Sequence, residues 1–154
     1  MLWQPHIRNH RLTIAWIKYQ TTEGLNSRLE DGQHCLMWDF DGFGFDIVRD
    51  GLNRVMKLYK LSSIYLFGSS PPDHYLALCL SRRPWIETVH IITSLPIIDK
   101  NWLRGGVARQ YFTIRIGSKN GHYPEPLLVF KSDVPETVKI EDLKYYDRYE
   151  TSSG

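Results

Sequence analysis

Cysteine is scarce in this chain of 154 residues, with Cys35 and Cys79 the whole complement. Each sits inside an apolar run and neither belongs to a CxxC pair, which excludes a four-cysteine zinc site. Buried thiols in a reducing compartment are expected, in preference to a disulfide. Long apolar runs are missing too, since none approaches the roughly 20 residues that cross a bilayer as a helix. The opening MLWQPHIRNH lacks the basic-then-apolar order of a signal peptide. The expectation is a cytoplasmic protein with no membrane partner. An excess of one charge is also lacking: 19 Lys and Arg face 17 Asp and Glu, a formal +2 with a pI near 8.5. No bulk field demands a polyanion, so any nucleic-acid surface has to come from local placement of Lys and Arg. Repeats, low-complexity tracts and linkers are absent, and the length suits one domain. Its core is expected over about residues 11–130 and a tail over 131–154, of which the final TSSG is given no function.

What the chain does have is patterned apolar sequence. Arg11–Tyr19 alternates well enough for a first strand, and Thr21–Gly32, with Gly24, Asn26 and Asp31-Gly32, reads as a loop. Cys35–Asp41 is a strand. Ile47–Tyr59 places Val48, Leu52, Val55, Met56 and Tyr59 on one helical face. Ile64–Phe67 and His74–Leu80 form a hairpin about the Gly68–Asp73 turn. Pro84 opens a helix with Trp85, Val89 and Ile92 as its buried stripe, and Pro96 ends it. A loop carrying Gly105-Gly106 precedes a strand at Tyr111–Ile116, and Leu127–Phe130 is one more. Lys139–Tyr149 is a polar, aromatic-bearing tail with no assigned structure. The core order is strand, helix, strand, strand, helix, strand. That order predicts an α+β fold with an RRM-like or ferredoxin-like split β-α-β core, a mainly antiparallel sheet with helices on one face. Many functions share such a core, so the chemistry has to be read from side chains.

The most informative segment is Leu36-Met37-Trp38-Asp39-Phe40-Asp41-Gly42. On a strand, residues two apart share a face, so Asp39 and Asp41 project side by side. Two carboxylates so close raise each other's pKa, and unpaired charge among apolar neighbours costs several kcal/mol. A divalent cation resolves the conflict, and hard oxygen ligands suit Mg²⁺ or Mn²⁺. The bland alternative is a strand end with two solvated acids before a glycine turn. In Ser69-Ser70-Pro71-Pro72-Asp73-His74, a serine-rich turn offers N–H and hydroxyl groups to phosphate, and His74 adds a donor. An ordinary hairpin turn with a surface histidine explains the same residues. Asp99, after two isoleucines, either completes a carboxylate triad or caps a turn. Arg115 and, after a Gly-Ser turn, Lys119 are cations suited to a triphosphate, Arg115 with bidentate geometry. Solvated cations are the alternative.

Taken in order, these segments resemble the archaeo-eukaryotic primase superfamily, which includes primase-polymerases. That family shows an apolar strand ending in DxD, a serine-to-histidine element and an apolar-Asp motif, followed in the primase-polymerase branch by an Arg and a Ser-Lys element. The matches are Asp39 and Asp41, Ser70 and His74, Asp99, and Arg115 with Ser118-Lys119, over roughly Cys35 to Asn120. The resemblance implies Asp39, Asp41 and Asp99 as catalytic metal ligands, with Ser70, His74, Arg115 and Lys119 on the nucleotide. It implies attack of a primer 3′-hydroxyl, or of a first nucleotide, on the α-phosphate of an NTP or dNTP, with pyrophosphate leaving. A single-stranded DNA template, primed or unprimed, and a helicase or other replication domain are the implied partners. Arg82, Arg83, Arg104 and Arg109 are candidate template contacts, with a solvated basic face as the alternative. The serine-histidine spacing is wider here than in the family, which brings Leu76 into question for the histidine's place. The gap after Asp99 is long, which makes Arg109 a rival to Arg115.

Two other readings use the same residues. The DFDG run resembles the first motif of haloacid-dehalogenase-type phosphatases, whose first Asp attacks phosphorus, although Phe43 stands where Thr or Ser normally follows. A non-catalytic RRM-like module would stack bases on exposed rings, with Trp16, Tyr19, Trp38, Tyr75, Tyr111 and Phe112 as the supply.

Overall fold

In the computed structural model the described residues are 19–151, apart from Pro71 and Asn120, together with four short strands nearer the start. These are β1 (Leu2–Trp3) paired with β4 (Ile14–Ala15), and β2 (His6–Ile7) paired with β3 (His10–Arg11). The strand expected at Arg11–Tyr19 coincides with the end of β3, with β4 and with the first residue of β5, and its remaining residues lie outside those described. Thereafter come β5 (Tyr19–Asn26), β6 (His34–Asp41), α1 (Phe45–Leu58), β7 (Ile64–Ser70) and β8 (His74–Arg83). They are followed by α2 (Trp85–Thr93), α3 (Lys100–Arg109), β9 (Thr113–Arg115), β10 (Glu125–Phe130), a short 3₁₀ turn (Ile140–Asp142) and β11 (Lys144–Thr151).

The fold is α+β with two larger antiparallel sheets, ordered β10-β7-β8-β6 and β11-β5-β9. Strand β8 lies between β6 and β7 and runs antiparallel to both, so those two point the same way with α1 as their crossover. That is the expected split β-α-β unit. The last core strand departs from the simple pattern, because β9 pairs with β5 in the second sheet. The sheets meet along the outer edge of β6, where Cys35 N–H donates to Ser27 O (3.0 Å) and Ser27 N–H donates to Phe112 O (2.9 Å).

The first five residues of β6 are buried on both faces, and alternation tells core from surface only at its end, where Phe40 is buried while Asp39 is half-buried and Asp41 exposed. Leu36, Trp38 and Phe40 share a face with Cys79, Ala77 and Tyr75 directly opposite on β8. Helix α1 covers this face: Phe45 lies 6.1 Å from the Tyr75 ring, and Val48, Leu52, Val55 and Met56 are buried as their spacing predicts. Each such side chain contributes about 1.5–3 kcal/mol by leaving water. Pro84 is the N-cap of α2, whose buried residues are Thr88, Ile91 and Ile92, with Trp85 and Val89 half-buried beside them.

Three segments differ from expectation. Thr21–Gly32 is not a loop throughout: β5 runs to Asn26, because β9 and β11 flank it and satisfy its backbone. Pairing on both sides overrides the weak strand propensity of that polar run. Gly105 and Gly106 lie inside α3, not in a loop. Asp99 sets the helix by accepting from Trp102 N–H at 2.6 Å, and Gln110, at φ 62°, stops it. Gly106 is there for space, since a Cβ would stand 2.3 Å from Phe112 Cδ1. The tail is part of the core: Val138 and Leu143 are buried, and β11 pairs with β5.

A run of touching rings links the two sheets to the helices. His34 lies 4.9 Å from Trp85, Trp85 lies 5.2 Å from Phe112, and Phe112 lies 4.7 Å from Trp102. Ser27 Oγ accepts from Phe112 N–H (2.9 Å), which leaves its own proton for His34 Nδ1 at 3.1 Å. Burial, with Arg28 second, pushes the His34 imidazole down to about 4 from its ordinary 6.5. Between those two values the unfolded chain holds a proton at His34 that the folded chain does not, so this group's own contribution to stability falls on acidification through that window. His34 alone is expected to account for a loss of roughly 2–3 kcal/mol, which His34→Gln should remove from the total pH dependence. Urea denaturation at pH 7 and pH 4.5 measures both slopes; equal slopes in the two proteins would remove His34 from the explanation.

Candidate active site

Asp39 and Asp41 project from β6 on the face opposite α1. At this end of the sheet three strands stand abreast, with Asp41 on β6 opposite His74 on β8, and His74 opposite Ser70 on β7. His74 Nδ1 is 3.1 Å from Asp41 Oδ1. Gly42, at φ 79°, turns the chain immediately after Asp41 and donates its N–H to Asp73 O (2.9 Å), which closes the corner. The next row inward is Asp39, Leu76 and Phe67. Leu76 is buried there, so the imidazole that reaches the carboxylates is His74.

Asp99 joins them from outside the sheet. Its N–H donates to Asp39 O at 2.9 Å, so the third acid lies against the outer edge of β6 beside the first. Its Oδ1 is engaged in capping α3. Asp99 is therefore a helix cap that also lies beside Asp39. Burial first, then the Asp99 and Asp41 carboxylates, push Asp39 up to about 7 from 3.8, while Lys119 and Arg115 pull in the opposite direction. Four of the residues singled out in the sequence thus act on the carboxyl group of a fifth, Asp39. Among the described residues, no three or more His, Cys, Asp or Glu side chains are grouped closely enough to hold an ion as they stand. Drawing Asp41 from His74 and turning the second oxygen of Asp99 inward are the adjustments a cation would ask for.

Arg115 ends β9 with its guanidinium against main chain. Nη1 donates to Gly117 O (2.7 Å) and His122 O (2.8 Å), and Nη2 donates to Ser69 O (2.8 Å). Lys119 is exposed on the hairpin that follows, where Lys119 and His122 exchange backbone hydrogen bonds of 2.9 and 3.0 Å. An Asn-Gly pair at 120–121 is the sequence signal for such a hairpin.

The remaining candidates are placed elsewhere. Arg82 and Arg83 close β8 at the end opposite His74, roughly 25–30 Å away at the usual rise per strand residue. Arg82 pairs with Asp31, and Arg83 reaches the carbonyls of Arg82 and Tyr59. Arg104 and Arg109 are exposed on α3, with Arg109 lying 5.4 Å over the Tyr111 ring. Of the rings proposed for base stacking, Trp38 and Phe112 are fully buried. Trp16 lies outside the described residues. The antiparallel sheets are not the doubly wound parallel arrangement expected of the phosphatase reading.

No family model, curated protein or solved structure matches this chain. Among the described residues no helix is long and apolar enough to cross a membrane.

Proposed function

We propose that this chain is a metal-dependent nucleotidyltransferase of the primase-polymerase type, adding nucleotides along a single-stranded DNA template in plasmid, viral or mobile-element replication. The observation that carries the reading is the shared field at Asp39, where two further carboxylates and two cations converge on one half-buried acid. Active sites are where burial and like charges are arranged to displace a pKa in this way. Asp39, Asp41 and Asp99 would hold Mg²⁺ or Mn²⁺, which when bound neutralises phosphate charge and favours ionisation of the attacking hydroxyl. Lys119 offsets charge on the triphosphate, and Ser70 and His74 donate to its oxygens. The primer hydroxyl attacks the α-phosphate in line and pyrophosphate leaves, with positioning and charge neutralisation supplying most of the acceleration. A helicase or another replication domain is the natural partner.

The test supplies primed and unprimed single-stranded template, labelled NTPs or dNTPs, and Mg²⁺ or Mn²⁺. Incorporation that EDTA abolishes is expected, and the unprimed lane separates priming from extension. A folded protein that yields no product under any of these conditions would sink the proposal; a generic phosphatase substrate and a template-binding assay then decide between the two other readings. Within the active enzyme, His74→Ala is expected to raise the nucleotide KM about tenfold, the worth of one charge-assisted hydrogen bond. An unchanged KM would take His74 off the nucleotide.

A further inference from the structure

We propose that Arg115 is a positioning residue, a clamp that fixes the Lys119 hairpin against the end of β7 and so sets where Lys119 and Ser70 stand beside the carboxylates. Its nucleotide-binding role in the resemblance is replaced by a mechanical one. Three of its N–H donors are committed to main-chain carbonyls, two at the base of the hairpin and one on β7. The β7 partner is not an arbitrary one. Register between β7 and β8 breaks between Gly68 and Ser70, and Ser69, at that break, is where the guanidinium arrives. The hairpin base is pressed from the other side as well. Ile116 and Gly117 both donate to Glu23 O at 3.0 Å, and a Cβ on Gly117 would stand 3.0 Å from Glu23 Cβ. Lys119 is therefore carried on a short hairpin held between β5 and β7, with Arg115 as the bolt.

This arrangement needs the flat fork of a guanidinium. A lysine ammonium has the same charge but concentrates its donors on one nitrogen, and it does not span carbonyls on two different segments in this way. Charge and geometry are thus separable by substitution. The kinetic arm of the test rests on the nucleotidyl-transfer reading, and the exchange arm does not.

The experiment compares Arg115→Lys and Arg115→Met with the native full-length chain. Amide hydrogen exchange is followed over residues 116–122 and 68–74, and nucleotide KM and kcat are measured separately. Both variants are expected to exchange about tenfold faster in both segments and to raise nucleotide KM about tenfold with kcat changing much less, the equivalent of one or two lost hydrogen bonds. General loss of stability would instead lower the active fraction and leave KM alone. Native exchange in Arg115→Lys overturns the clamp, as does a native KM in Arg115→Lys beside a raised one in Arg115→Met, which would make charge the whole contribution. A native chain that incorporates nothing defeats the nucleotidyl-transfer reading, and the exchange data then decide the clamp alone.

Discussion

Asp39→Asn is expected to melt at a higher temperature than the native chain at pH 8 and to have lost nucleotide incorporation altogether. Burial and its acidic neighbours lift the Asp39 carboxyl from 3.8 to about 7. Between those values the folded chain keeps a proton that the unfolded chain has released, so stability falls as pH rises through that window and the full cost is present above it. A displacement of about three pH units corresponds to at most roughly 4 kcal/mol, and partial hydration of the group reduces this to about 2. For a chain of this size that is a gain of about 4–8 °C in Asp39→Asn at pH 8, vanishing near pH 4. Added Mg²⁺ or Mn²⁺ should raise the melting temperature of the native chain and leave that of the variant unchanged, because a cation between carboxylates removes the same repulsion. Calorimetry at the two pH values, with and without metal, reads all of this. A variant less stable than the native chain at pH 8, or one that still extends a primer, would show that Asp39 is a satisfied structural acid.

The second large effect separates two adjacent glycines of α3. Helix propensity alone predicts that Ala in place of Gly stabilises a helix interior by about 1 kcal/mol. At Gly105 the new methyl would meet only the mobile end of Arg109, 3.4 Å away, so Gly105→Ala should show most of that gain. At Gly106 it would stand 2.3 and 2.4 Å from two atoms of the Phe112 ring. That ring is fully buried, stacked on Trp102 and in tilted contact with Trp85, so it cannot retreat without disturbing either. Overpacking of this kind costs about 1–3 kcal/mol beyond the propensity gain. Gly106→Ala is expected to lose about 2 kcal/mol, and urea titration of both variants checks the contrast. Equal stabilisation in both would mean that α3 moves off the ring without penalty.

The parts of the fold that were legible in the sequence are those where a local period meets a single buried face. The short apolar run of Cys35–Asp41 and the stripe from Val48 to Met56 named β6 and the buried side of α1, and the order of elements pointed to the split unit. Strand β5 was not legible, because its polar residues acquire strand character only by pairing with β9 and β11, which lie 87 or more residues away along the chain. Helix α3 was hidden by two glycines, one of which answers to a ring six residues downstream and not to any loop. Asp39, Asp41, Asp99, Ser70, His74, Arg115 and Lys119 were all legible as candidates, and they do gather at one end of the sheet. Their individual roles were not. Nothing in a one-dimensional pattern tells that Arg115 faces three carbonyls, or that Arg82 and Arg83 sit at the far end of the strand that begins at His74.

The stack of rings also gives the protein a lamp beside its carboxylates. Trp102 is the residue whose backbone N–H the Asp99 side chain caps, and its indole lies on Phe112 while the indole N–H donates to Thr113 O at 2.6 Å. Any ion or phosphate that rotates the Asp99 carboxylate must loosen the cap and disturb the surroundings of that indole. Intrinsic emission then follows occupancy of the site with no label attached, and paramagnetic Mn²⁺ would be seen as a quencher at the same ring.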